Sequence, residues 1–355
     1  MKRNKKMVFY ILLVTALGLV SVYSASRVWA EYRFDDAYYF VKRQLLFAIL
    51  GIVVMVSASK LSLLKWRYMI NIFYWGCILS LVLVLIFGVS RNGSKSWFGF
   101  GSLLVQPSEF FKIAMILKAS DMLAKQTKIK KLKDLIPLMF YTLLGFGLIM
   151  LQPDFGSGMV MLCSVVVIVL AADGPFCYFV RLGILGLLGL GALILSAPYR
   201  LARITAFIDP WQDPLGSGFQ MIQSLFAIAP GGLLGKGFDM SIQKHFYLPE
   251  PQTDFIFAIF AEEWGFIGGL FLIALYVMIV YEGVGIAKRC DDAFLAYAAM
   301  GFISLFAIQV LINLGVVVGL FPVTGITLPL FSYGGSSLVV ILGALGLLIG
   351  ISNEC

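Results

Sequence analysis

An all-α polytopic membrane protein of about ten transmembrane helices is the fold class this sequence predicts, and three observations predict it. Hydrophobic residues fill 60% of the 355 positions and charged residues 13%, against about 45–50% and about 25% in a soluble domain. Mean hydropathy is +0.94. The apolar residues are gathered in long blocks without charge, and a helix needs roughly 20 such residues to cross the hydrocarbon layer. A soluble enzyme with a polar shell is excluded. No low-complexity tract, strong repeat or soluble stretch interrupts the pattern, so a single integral membrane domain over 1–355 is expected.

The spans follow in order. The first, near 8–23, comes after Lys2, Arg3, Lys5 and Lys6. Ser24-Ala25-Ser26 beyond it could pass for a cleavage site, but the later spans make this segment a start-anchor rather than a cleaved signal. The second, 44–59, is followed by Lys60, Lys65 and Arg67, and the third lies near 68–89. The fourth, 107–123, runs into Lys125, Lys128, Lys130, Lys131 and Lys133, ahead of the fifth at 135–151. The sixth and seventh lie near 157–173 and 180–197. The eighth, 256–283, is followed by Lys288 and Arg289, and the ninth and tenth lie near 295–318 and 336–352.

With ten spans, these basic clusters fall on one side, which the positive-inside rule makes cytoplasmic. Both termini are then cytoplasmic, and the same bias accounts for the net charge of +8 without nucleic acid. The external side receives loops near 24–43, 90–106, 152–156, 198–255 and 319–335. Cys177, Cys290 and Cys355 fall on the reducing cytoplasmic side, with no pairing or metal-ligand spacing to suggest otherwise. The single histidine, His245, rules out a histidine-based metal cluster.

The large extracellular loop at 198–255, between the seventh and eighth spans, is far longer than the usual connection, a length that points to function or disorder. Phe207, Trp211, Phe219, Phe226, Phe238, Phe246 and Tyr247 give it material to pack, and Ile222–Ile228 suits a short interfacial helix. The last loop carries Pro322, Gly325, Pro329, Gly334 and Gly335. Irregular backbone at membrane depth is tolerated only inside protein or along a polar cavity. Gly334-Gly335-Ser336-Ser337 offers free N–H groups to an anion.

Ionisable residues within or at the rim of a bilayer are costly and invite a functional reading. Glu109 and Lys112, three apart, share a helix face; they form either a structural ion pair or the lining of a polar cavity. Asp154 could cap the sixth span through Phe155-Gly156-Ser157 or serve the cavity. Glu262 and Glu263 suit a wet cavity, or Trp264-Gly265 marks a break in the eighth span. The segment Tyr247–Phe255, kept extended by Pro249 and Pro251, delivers Asp254 to the mouth of that span. Asp254 is a helix cap, or a carboxylate that accepts a proton or holds a cation. Arg203 and Lys244 could face an anionic group or act as interface anchors.

At these residues the chain resembles the SEDS family (shape, elongation, division and sporulation; FtsW, RodA and SpoVE). The resemblance is carried by Asn313, Gly319, Pro322, Gly325 and Ser332–Ser337, and by Tyr23–Ser26, Arg91–Trp97, Gln106–Phe110, Gln152–Asp154, Asp209–Trp211, Gly216–Gln220 and Pro249–Phe255. The first external loop, Val28–Asp36, looks most like the sporulation and division branch.

The resemblance implies a peptidoglycan glycosyltransferase that polymerises lipid II on the outer face of the bacterial cytoplasmic membrane, at a division septum or forespore. It implies a class B penicillin-binding protein and other divisome or sporulation proteins as partners. Asp254 matches the family's catalytic aspartate, Glu109 and Lys112 its paired residues, and Asp154 its acidic residue at the fifth-span end. Where many relatives carry His, this chain has Gln252, which concentrates the base role on Asp254. A divalent cation, Mg²⁺ or Mn²⁺, at Asp254 or the basic groups Arg203, Lys244 and Lys112 would carry the leaving-group charge. Ser336 and Ser337 would line the same cavity. A lipid II flippase or a scaffold for a transpeptidase are the rival readings.

Overall fold

In lipid every backbone N–H and C=O must be satisfied within its own segment, so uncharged runs fold as helices. The structure, a computed structural model, describes residues 4–91, 94–100, 103–126, 132–174, 186, 207–216 and 218–355. In chain order the helices are α1 (Lys5–Phe34), α2 (Tyr39–Ala58), α3 (Leu63–Trp66), α4 (Ile70–Phe87), α5 (Pro107–Ala124), α6 (Leu132–Leu151) and α7 (Phe155–Ala171). They continue with α8 (Phe219–Ile228), α9 (Ile256–Arg289), α10 (Ala293–Val317) and α11 (Gly335–Glu354). Every expected span coincides with a helix except 180–197, which apart from residue 186 lies outside the described residues together with Arg203 and Cys177. Seven helical stretches among the described residues are long and apolar enough to cross a membrane, Leu63–Phe87 counting as one. The chain is thus an all-α polytopic membrane protein.

α5 and α7 complete the bundle by another route. α7 is apolar but only 17 residues long. α5 carries Glu109, Lys112, Lys118 and Asp121, all buried; its charges meet protein rather than lipid. α10 lies between α5, α7, α9 and α11. Close approach at the α2–α11 contact depends on small residues, the usual device where helices pack in a membrane. At Gly346 a Cβ would lie 2.4 Å from the Met55 carbonyl oxygen.

Several features depart from the sequence expectation. α1 runs on to Phe34 rather than ending near 23. At about 1.5 Å per residue its 30 residues overrun the ~30 Å hydrocarbon layer, so Glu31, Tyr32 and Arg33 are exposed on a helix that has left it. The expected loop 90–106 contains an antiparallel sheet of β1 (Val89–Arg91), β2 (Ser94–Phe100) and β3 (Leu103–Val105) in the order β1-β2-β3. Its register pairs Val89 with Trp97 and Gly99 with Leu104. Within the 198–255 loop, α8 starts three residues earlier than expected and buries Met221, Ile222, Ser224 and Ala227 against the bundle.

The break at Gly265 is real: its φ of 65° and ψ of −166° interrupt α9. The loop 231–237 stitches the gap. Lys236 N and Gly237 N donate to the carbonyls of Glu262 and Glu263, while Phe266 N and Ile267 N donate to those of Gly232 and Leu233. A side chain at Gly265 would strike Gly235 N at 2.3 Å. The thiol reading also needs correction. Cys290 and Cys355, expected as unpaired cytoplasmic cysteines, form a disulfide across 65 residues of sequence. The fold brings the α9 and α11 ends together, a proximity that no local spacing signals.

Candidate active site

Asp254 lies in a run of turns that ends at Phe255, and α9 begins at Ile256. The helix N-cap is Phe255, with no side-chain cap. Thr253 Oγ1 donates to Asp254 Oδ1 at 2.9 Å and to the Glu250 carbonyl at 2.8 Å. The carboxylate is half-buried.

The segment is clamped from α10. Asn313, fully buried, donates its amide Nδ2 to the Asp254 carbonyl and to the Ile326 carbonyl, each at 2.7 Å. One turn earlier on the same helix face, Gln309 Nε2 donates to the Thr327 carbonyl at 3.2 Å, and Gln309 Oε1 accepts from Lys112 at 3.4 Å. Lys112 in turn pairs with Glu109 at 2.8 Å, both side chains buried. The Glu109–Lys112 pair and the Asp254 main chain are thus anchored on adjacent turns of α10, about 6 Å apart along its axis. The pair is the expected ion pair, and Gln309 ties it to the loop that follows α10.

The loop before α11 closes the arrangement. Tyr333 N donates to the Gln252 carbonyl at 2.8 Å. From α2, buried Gln44 donates to the Ser332 carbonyl at 2.9 Å and accepts from Gly334 N at 3.3 Å. Ser337 meets Thr327 at 3.3 Å, and Ser336 Oγ is buried without a partner. Asp154 sits beside this loop: a Cβ on Gly156 would lie 2.6 Å from Ile326. Its carboxylate caps α7 through Ser157 N and accepts from Gln106 Nε2 and Ser108 Oγ at the start of α5. Asp154 therefore does the expected capping and also ties α7 to the helix that carries Glu109.

Lys244 has a different environment. It is 2% exposed. Its ammonium is shared between Asp239, the Asp239 carbonyl, Ser24 and Glu263. Arg27 completes the pairing of Asp239. Burial works against ionisation of Asp239, but Lys244 and Arg27 outweigh it and hold its carboxyl below the usual range. Glu262, 0% exposed, accepts from Lys236, Ser241 Oγ, Ile242 N and Gln243 N. This cluster locks α1, the loop and the α9 break together, and its bonds take up Lys244 in place of the expected anionic group. Glu262 and Glu263 are both buried within this cluster.

The site residues that sequence reasoning missed are the buried amides Gln44 and Gln309, together with the clamp role of Asn313. Each is an amide in an otherwise apolar span, where unpaired polar groups are costly; that was the available signal.

Residues 4–355 match the profile of a family described as cell cycle protein, FTSW_RODA_SPOVE. Stage V sporulation protein E of Bacillus subtilis (strain 168) is 50% identical over 351 residues, 98% of this chain and 96% of that protein. The probable peptidoglycan glycosyltransferase FtsW of Geobacter metallireducens is 39% identical over 345 residues, 96% and 92% of the two chains. Among solved structures, one describing the coordination of polymerization and crosslinking by a peptidoglycan synthase complex has 33% identity and a TM-score of 0.81, covering 98% and 97%. The rod shape determining protein RodA of Thermus thermophilus has 30% identity and a TM-score of 0.74, covering 98% and 96%.

Proposed function

Because the chain belongs to the FtsW, RodA and SpoVE family of cell cycle proteins, we propose the following reading of its site. The protein is a multi-pass membrane peptidoglycan glycosyltransferase of cell division or sporulation. Its substrate is lipid II, polymerised on the outer face of the cytoplasmic membrane at a septum or forespore. A class B penicillin-binding protein works beside it and crosslinks the product, with other divisome or sporulation proteins around them.

Asp254 is the general base. Its carboxylate takes the proton from the acceptor sugar hydroxyl as that oxygen attacks C1 of the donor sugar. The C1–oxygen bond to undecaprenyl pyrophosphate breaks, and the anomeric centre inverts. The leaving group is a stable anion and needs no acid. A positioned base contributes about 10²–10⁴-fold. The observation that carries this reading is the anchoring of the Asp254 main chain and the Glu109–Lys112 pair on adjacent turns of α10.

A divalent cation, Mg²⁺ or Mn²⁺, is proposed as the cofactor. Mg²⁺ is usually held by one or two carboxylates plus substrate phosphates, a set that Asp254 and a pyrophosphate match. No group of three His, Cys, Asp or Glu side chains occurs among the described residues to cage it without substrate. When bound, it supplies charge to offset the departing pyrophosphate. Chelation with EDTA is expected to slow polymerisation, with recovery on adding Mg²⁺ or Mn²⁺.

The test is purified Asp254→Asn incubated with lipid II. Loss of glycan chains supports the base; chains made at the parental rate sink it. Lipid II movement in vesicles by a parental protein that makes no polymer would favour transport instead.

A further inference from the structure

Two buried acceptors beside Asp254 have nothing to accept. Asn313 Oδ1 and Gln252 Oε1 lack hydrogen-bond partners, although the two residues are 0% and 3% exposed. Such atoms cost about 1–3 kcal/mol each when left unpaired, and native proteins keep few of them. Asn313 cannot turn to relieve its own. Its Nδ2 is committed to two main-chain carbonyls, and a flipped amide would set oxygen against both. Gln252 is held through its main chain by Tyr333 N, two residues upstream of the carboxylate. The first belongs to the amide whose Nδ2 holds the Asp254 carbonyl from α10, and the second lies in the same segment as Asp254.

We infer that Asn313 Oδ1 and Gln252 Oε1 form an acceptor-only subsite for the O–H and N–H donors of an N-acetylated amino sugar, fixing the sugar whose hydroxyl Asp254 deprotonates. The inference rests on the glycosyltransferase reading above and adds residues to it. Charge decides the ligand class. Two amide oxygens offer neither a donor nor a positive charge to a pyrophosphate, whose charge is left to the proposed cation. They are neutral, which suits hydroxyl and amide donors better than a hard dication, whose usual ligands are carboxylates. A buried polar pair of this kind rejects ligands that leave it unsatisfied, so the subsite selects as well as holds. Both are positioning residues; Asp254 alone handles the proton.

Gln252 is the residue to vary, since Asn313 also holds the main chain. Gln252→Met keeps length and volume but removes the acceptor, whereas Gln252→Glu keeps an acceptor oxygen. Each is placed in the full chain carrying Asp254→Asn, and lipid II binding is measured with ligand-free melting as the control. The expected result is a Kd about tenfold weaker for Gln252→Met and within about threefold of the parent for Gln252→Glu. Should Gln252→Met not accumulate, Gln252→Leu reads the same loss. Unchanged binding by the apolar variant overturns the subsite. So does the reverse order, with Glu worse than Met, which marks simple packing. A loss restored by raised Mg²⁺ also overturns it, by marking a cation ligand. Failure of the unmodified protein to polymerise lipid II would overturn the enzyme reading, while these Kd values would still decide the subsite.

Discussion

Two polar regions cross the boundary of this bundle, and both are built from carboxylates and lysines. Around Lys244 each charge is answered. Lys244 meets Asp239 and Glu263, Asp239 meets Arg27 as well, and Glu262 accepts four hydrogen bonds. Around Asp254 neutral amides hold the main chain, and among the described residues Gln252 Oε1 and Asn313 Oδ1 have no hydrogen-bond partner. A buried ion pair whose partners are all present serves architecture, since removing one leaves a stranded charge. Unanswered buried acceptors call for a partner that the described residues do not supply. The regions therefore differ in what is left unsatisfied: Gln243 Oε1 beside Glu262, against Gln252 Oε1, Asn313 Oδ1, Ser336 Oγ and Glu109 Oε2 around Asp254, and residue type alone does not reveal it.

The comparison can be broken most severely at Asp254. Asp254→Asn is expected to slow polymerisation by about 10²–10⁴-fold with the melting temperature unchanged; a parallel fall in Tm would make Asp254 structural. Next in size is Lys244→Met, which strands buried Glu263 and is expected to cost about 3–5 kcal/mol of stability, read by thermal or denaturant unfolding in detergent. Asn313→Ala releases the Asp254 carbonyl and is expected to lower the rate by about 10²-fold through misplacement, with a smaller loss of stability. The mildest test is Asp239→Asn, worth about 2 kcal/mol. Because Asp239 is held below the usual carboxylate range in the folded protein, its contribution is present above the ordinary aspartate pKa of about 3.9. It is lost as pH falls further. Unfolding curves of parent and variant should therefore differ at pH 5–8 and converge in stronger acid.

What the sequence revealed followed from local chemistry. Charge-free runs marked the spans, Pro and Gly marked the irregular loop before α11, and Asp254 stood out as a carboxylate at a span's mouth. What it hid was long-range. Lys244 reads as a loop lysine until the fold sets it against Ser24, 220 positions away, and Glu263. The stretch from Tyr23 to Phe34 looks like a loop because it carries charges, yet a helix that has left the lipid can continue with polar residues. Cys290 and Cys355 meet only because α9 and α11 end together. Gln309 and Asn313 lay in plain view as amides in an apolar span, but their targets are carbonyls of a loop whose path no periodicity describes.

The most direct measurement is the polymerisation rate per folded molecule for Asp254→Asn and Lys244→Met side by side, using lipid II and the proposed complex with a class B penicillin-binding protein. Asp254→Asn is expected to fold fully and make almost no glycan, and Lys244→Met to be depleted while its surviving folded molecules polymerise at close to the parental rate. The opposite pattern, an active Asp254→Asn beside a folded but inactive Lys244→Met, would contradict this and move the chemistry to the other region.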